Sequence, residues 1–388
     1  MRKRRVYLDN GATTYVCGEA LQAMLPYFTT EYGNSSSIHS YGRAAEIALE
    51  TARASVARTI NADPSEIYFT SGATEANNWV IRGAVTNHPS KRAIVSAIEH
   101  PCIMETCAQL KREGYCIDYV KVDRDGIIQI SDLLHKLSKP AAIVSIMTAN
   151  NEVGTIQYMN TVAEICDRHG VMFHTDATQA ISRVFIDVKE MKIDALSLSA
   201  HKIYGPKGIG ALYLKRGIKI EKFMHGGTQE RNKRAGTVNV SGAVGFGVAC
   251  DVALRDSAIN NTRIKGLRDY LMLQIEQKIE NVHINGHRQQ RLMNNVNASF
   301  AGIEGESIVM MLDMAGIAVS TGSACASDKL ERSHVLSAMG VGDELVNGTV
   351  RFTLGRNTTK EDIDYTVAEL VKVVKKLRAM SPLKGGSL

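Results

Sequence analysis

From about residue 66 to residue 215, short apolar runs alternate with amphipathic stretches, the pattern of β-α units built around a mostly parallel sheet. Strands are predicted near residues 67–70, 93–96, 143–147, 171–176, 195–199 and 210–214, with helices between them. Residues 161–169 illustrate such a helix: Val162, Ile165 and Cys166 share one face, and His169-Gly170 closes the end. A glycine-rich stretch, 236–247, precedes a helical pattern over 258–280 that would connect two domains. The remainder, with strands at 295–300 and 349–354 and helices at 306–315 and 361–377, reads as a smaller α+β domain. There are no repeats and no low-complexity segment.

Composition narrows the class. A chain of 388 residues with 44% apolar and 22% charged residues is an ordinary globular composition, and its length favours two domains. The net charge of +6 comes partly from Arg2-Lys3-Arg4-Arg5. Asp9 and Asn10 follow almost at once, so no signal-peptide core is expected there, and no run approaches a membrane span. A soluble, cytoplasmic protein without direct nucleic-acid binding is expected. The seven cysteines (17, 102, 107, 116, 166, 250 and 325) are scattered without C-x-x-C pairs, which fits neither a disulfide framework nor a zinc ribbon.

In an open α/β sheet the ligand crevice lies beyond the carboxyl ends of the strands. Three such ends carry chemistry. At Thr70-Ser71-Gly72-Ala73-Thr74 a strand turns through small residues into a helix, whose free N–H groups would hold a phosphate; alone, the segment reads equally as a helix cap. At Asp176 a carboxylate follows an apolar run and calls for a cationic partner such as a protonated pyridine nitrogen, the alternative again being a cap. At Ser199-Ala200-His201-Lys202 a lysine ends a strand beside a glycine-rich turn, where most lysines would be solvated surface groups. Taken in this order, the three supply what pyridoxal 5'-phosphate requires: Lys202 for the Schiff base, Asp176 for the ring nitrogen, and a helix start for the phosphate.

Further motifs carry a resemblance. These include residues 8–14 (Leu-Asp-Asn-Gly-Ala-Thr-Thr), 99–101 (Glu-His-Pro), 150–154 (Asn-Asn-Glu-Val-Gly), 201–208 (His-Lys-Ile-Tyr-Gly-Pro-Lys-Gly), 321–325 (Thr-Gly-Ser-Ala-Cys) and 351–356 (Arg-Phe-Thr-Leu-Gly-Arg). Along nearly its whole length the chain resembles the aspartate-aminotransferase-like pyridoxal-phosphate enzymes, and among them the cysteine desulfurases of the NifS/IscS type. The resemblance implies an α/β fold: a large domain, 15–257, with a mostly parallel seven-stranded sheet, and a small α+β domain, 1–14 with 258–388, carrying the catalytic cysteine loop.

It also implies roles. His100 stacks on the pyridine ring and serves in proton transfer, while Gln179 bonds the ring hydroxyl. Ala73, Thr74, Ser199 and His201 hold the phosphate, and Thr237 reaches the phosphate of the neighbouring subunit of a homodimer. Arg351, on pattern alone an exposed strand arginine, binds the substrate carboxylate, with Asn34 and Asn151 contacting carboxylate and cofactor. Cys325, in a small polar stretch without helical or strand period, reads as a reactive thiol even before the resemblance. By the resemblance it takes sulfur from L-cysteine, releases L-alanine, and passes the sulfur to an iron-sulfur scaffold or a tRNA-thiolation carrier. No metal is expected in that site, although Cys325 could contact a cluster during transfer. Ser35, Ala200 and Thr228 depart from the family's usual proline and glycines. The alternatives are a selenocysteine lyase, another pyridoxal-phosphate lyase, an aminotransferase, or a sulfur carrier that has lost catalysis.

Overall fold

The computed structural model describes residues 4–321 and 332–380. Strand β1 (Val6–Tyr7) lies apart from the central sheet, which is built from β2 (Ile67–Thr70), β3 (Arg92–Ser96), β4 (Cys116–Val120), β5 (Ile143–Ser145), β6 (Met172–Asp176), β7 (Ala195–Ser199) and β8 (Gly210–Leu214). Their order across the sheet is β2-β8-β7-β6-β5-β3-β4. The run from β4 to β7 is parallel, and β8 is antiparallel to both its neighbours, so β2 points the same way as the parallel strands. The carboxyl ends of β2, β3, β5, β6 and β7 therefore meet at one edge.

Helices cover both faces of this sheet, which is why β7 and β8 are buried at every position; β8 reads as a continuous apolar run, while β7 carries Ser197 and Ser199. The few polar residues inside are mutually satisfied: the His174 ring lies 2.8 Å from Ser145 Oγ and 3.0 Å from Ser197 Oγ, on the two adjacent strands. The strand missing from the sequence pattern is β4. It pairs only with β3, at the sheet edge, and its Cys-Ile-Asp-Tyr stretch is largely half-exposed, so no continuous apolar run marks it.

A second, antiparallel sheet joins β9 (Val282–Asn285), β10 (Asn295–Phe300) and β12 (Thr349–Thr353), while β11 (Ile317–Ala318) pairs in parallel with β1. The amino-terminal segment thus belongs to this smaller unit, with Val6 and Leu8 in its core.

The connecting helix differs from expectation. It runs Val240–Lys278, taking in much of the glycine-rich stretch expected to precede it. Glycine inside a helix costs about 1 kcal/mol relative to alanine, and here close packing explains its use. A Cβ on Gly247 would stand 2.7 Å from Ala52 Cα of the Ser40–Arg58 helix. Phe246, Ala249, Cys250 and Ala253 bury in the large core, and Ile264, Leu271, Met272 and Ile275 in the small one. This handover supports the domain boundary that we propose at 257/258.

Candidate active site

The shared strand edge opens into a cleft of about 970 Å³. Its floor is set by the turn after β2. The Ala73–Thr86 helix starts behind Gly72, which provides no capping side chain, so the first-turn N–H groups of Ala73 and Thr74 are not taken by a cap. The turn lies against the next strand without room for side chains: a Cβ on Gly210 would be 2.7 Å from Gly72 Cα. Ser199 and His201, at the end of β7, line the same cleft. His201 Nδ1 lies 3.1 Å from Thr13 Oγ1, and burial together with the positive charges of Lys202 and Lys207 lowers its pKa to about 4.

Asp176 closes β6 and is buried. Its Oδ1 accepts from Thr178 N at 2.9 Å in an Asx turn, not the helix cap expected as the alternative, since no helix lies between β6 and β7 among the described residues, and its Oδ2 accepts from Asn77 Nδ2 at 2.7 Å. Lys202 sits in the short 3-10 turn Ala200–Lys202, and its Nζ donates to the carbonyls of Gly11 and Ala12 at 2.7 and 2.8 Å. Gln179 Nε2 donates to the same Gly11 carbonyl at 3.0 Å. The loop after β1 thereby becomes part of the site.

From the small unit, β12 presents Arg351. It is 3% exposed, which corrects the exposed-arginine reading: the apolar residues of β12 face the small core, while Arg351 turns into the cleft rather than to solvent. Its guanidinium donates to Asn151 O at 3.0 Å and to Asp9 Oδ1 at 3.1 Å, and its buried Nε has no hydrogen-bond partner among the described residues. An unmet donor of this kind is costly unless a ligand oxygen arrives.

Burial shapes the acids and bases around the cleft. His100 caps the Pro101–Arg112 helix, its Nδ1 accepting from Cys102 N at 3.2 Å, and burial disfavours its charged form, opposed by Asp176. Glu152 receives the Ser333 hydroxyl at 2.5 Å, and burial raises its pKa to about 7. Glu99, fully buried, accepts from Ser96 Oγ at 2.5 Å and Met147 N at 2.8 Å, and desolvation raises its pKa to about 8. A carboxyl raised above its unfolded value binds an extra proton in the folded state, so its stabilising effect is lost as pH rises through the folded pKa. Stability should therefore fall between pH 6 and pH 9, and Glu99→Gln, an amide of the same shape, should flatten that fall without loss at pH 6. Urea midpoints at the two pH values measure it; an unchanged slope in the variant would show Glu99 to be ionised already.

The sequence-predicted residues separate into three groups. Ala73, Thr74, His100, Asn151, Asp176 and Gln179 all border the cleft, as do Ser199, His201, Lys202 and Arg351. Asn34 and Thr237 are exposed and do not line it. Cys325 lies outside the described residues. Sequence reasoning missed Gly11 and Ala12 as partners of Lys202, and it missed Asn77, Cys102, Glu152 and His334. Only Asn77 left a signal: it is a polar residue on the buried side of the Ala73–Thr86 helix, beside Ala76 and Val80.

A lysine, an aspartate and an uncapped helix start gathered at the carboxyl edge of such a sheet agree with the family comparison: the aminotransferase class-V model matches residues 6–366, and the chain belongs to that family. Within it, the chain is 47% identical to cysteine desulfurase IscS of Dictyoglomus turgidum over 98% of both chains. Among solved structures it is similar to a NifS-like protein, at a TM-score of 0.89 and 34% identity, covering 96% of this chain and 100% of that one. It is also similar to SspA in complex with cysteine, at a TM-score of 0.81 and 31% identity, covering 91% and 100%.

Proposed function

We propose that the chain is a pyridoxal-5'-phosphate-dependent cysteine desulfurase. It converts L-cysteine to L-alanine and holds the removed sulfur as a persulfide on Cys325 for delivery to an acceptor. The observation that carries the reading is the placement of Lys202, Asp176 and the uncapped Ala73–Thr86 helix around one cleft that the buried Arg351 also lines. The relatives named for this activity, and the solved relative that holds cysteine, support it.

The residues present fit the cofactor. First-turn amides at Ala73 and Thr74, with Ser199 and His201, would take the phosphate; Asp176 would face the ring nitrogen and Lys202 would be the covalent tether. When bound, the cofactor supplies an electron sink for the carbon bearing the substrate's amino group. Arg351 and Asn151, which line the cleft, orient the substrate carboxylate; the exposed Asn34 would reach it only in an assembled dimer. Lys202 Nζ and His100 move the proton from that carbon. The Cys325 thiolate forms a bond to the substrate sulfur as the carbon–sulfur bond breaks; the electron pair stays with the carbon, which gains a proton and leaves as alanine. The acceptor is an iron-sulfur scaffold protein or a tRNA-thiolation carrier.

A homodimer completes the proposal. Leu21, Leu25, Phe28, Tyr32 and Ile38 are all exposed on one amino-terminal stretch, with Ile38 at 91%. An apolar run of this kind fits an interface with a second copy. The exposed Thr237 follows Arg234, which is joined through two hydrogen bonds, at 2.8 and 3.0 Å, to Glu75 of the phosphate-side helix. No helix among the described residues is long and apolar enough to cross a membrane, and the cysteines described are free, which supports a cytoplasmic location.

With L-cysteine and a thiol reductant, the purified holoprotein should form alanine and sulfide in equal amounts, and it should sediment as a dimer. Pyruvate and ammonia would instead mark a β-lyase, transfer of the amino group to a keto acid would mark an aminotransferase, and a strong preference for selenocysteine would mark a selenocysteine lyase.

A further inference from the structure

Cys102 stands in the first turn of the Pro101–Arg112 helix and borders the cleft. Its Sγ lies 3.0 Å from His100 Nδ1 and accepts from Asn77 Nδ2 at 3.2 Å; the same Asn77 amide donates to Asp176 Oδ2 at 2.7 Å. One side-chain amide thus directs one proton at the carboxylate and the other at the thiol. With Sγ accepting from Asn77 and from the Thr74 hydroxyl, the thiol's own proton is left to donate, and His100 Nδ1 offers it a lone pair. The Cys102 backbone N–H donates to this nitrogen as well. An amide N–H is never an acceptor, so Nδ1 carries no proton and the neutral ring holds its proton on Nε2.

We propose that Cys102 is a positioning residue whose thiol, linked through Asn77 to Asp176, joins its own backbone N–H in holding the His100 imidazole in its Nε2–H form inside the cofactor cleft and in opposing protonation at Nδ1. The geometry stands by itself; its meaning for turnover rests on the desulfurase reading. The thiol is a donor here and not a second sulfur acceptor, because burial and the nearby Asp176 push its pKa up to about 12. The charged groups around His100 act in both directions. Asp176 favours a protonated ring, while Lys202, His334 and Arg351 oppose it along with burial. Cys102 adds a directional constraint that none of these charges supplies: a proton can be taken up at Nδ1 only by disrupting two existing hydrogen bonds. The ring therefore presents an N–H at Nε2 throughout the range in which it is neutral.

Nitrogen-15 spectra of histidine-labelled holoprotein, followed with pH, test this directly, with His100→Gln identifying the signal. The wild type should show His100 with its proton on Nε2. Cys102→Ala should raise the His100 titration midpoint by about half a pH unit, the size expected on losing one modest neutral hydrogen bond, while the residue-102 N–H still keeps the neutral ring's proton on Nε2. Cys102→Ser, which keeps a donor at the same place, should restore the midpoint. A wild-type Nδ1–H ring, an alanine variant with the wild-type midpoint, or a serine variant that behaves as alanine would each overturn the proposal. None of these readouts requires turnover, so a protein that made no alanine from cysteine would refute the desulfurase reading and leave this test intact.

Discussion

Lys202→Ala should abolish turnover, by about 10³-fold or more, and the purified variant should lose the covalently held yellow cofactor of the wild type. Lys202 Nζ is held by two backbone carbonyls, at 2.7 and 2.8 Å, and among the described residues the other lysine bordering the cleft is Lys207, on the turn beyond. Alanine at 202 removes both the tether and the amine that moves the substrate proton. Absorbance of the purified protein, borohydride trapping and peptide mapping give the result. An adduct mapped to Lys207 or any other lysine would displace Lys202 from the centre of the site.

Cys325→Ser should separate cofactor chemistry from sulfur transfer. The variant should bind the cofactor and respond spectrally to L-cysteine, yet release almost no alanine, a loss of about 10³-fold or more. A serine hydroxyl is not ionised near neutral pH and is a poor nucleophile toward sulfur, whereas a thiolate is accessible and soft. Mass spectrometry of the wild type after cysteine should find one added sulfur on Cys325. Wild-type alanine formation by the variant, or a persulfide confined to Cys102, Cys107 or another cysteine, would end the proposed mechanism. The raised thiol pKa values of Cys102 and Cys107, each near 12, oppose that second outcome.

What the sequence made legible was what short-range pattern encodes. A doubly buried strand such as β8 is an apolar run, and the polar residues at the end of β6 and just past β7, Asp176 and Lys202, mark the carboxyl edge. Features decided by packing partners were not legible. The edge strand β4 lacks an apolar run, and the glycines at 245 and 247 read as lying ahead of the helix because nothing local announces Met24 and Ala52, the neighbours that they accommodate. Arg351 alternates with apolar neighbours just as a surface residue would; only the meeting of β12 with residues 9 and 151 buries it. Cys102 likewise has an ordinary helical setting in sequence, and its bonds to His100 and Asn77 arise from two different elements. Asn34 and Thr237 were reached through resemblance alone, and their exposure leaves them as proposals for a dimeric assembly.

The loop after β1 has a consequence for how the chain acquires its shape. Gly11 N donates to Thr353 Oγ1 and Asp9 pairs with Arg351, contacts that each span 342 positions, while the Gly11 and Ala12 carbonyls reach Lys202. During synthesis, the bonds to Gln179, Lys202, His201 and Tyr204 become available once the central sheet has been made, whereas those of Gly11 N and Asp9 wait for β12. Contacts of such high sequence separation form late and slowly. The loop that clasps Lys202 is thus anchored in two stages, first to the large unit and last to the small one.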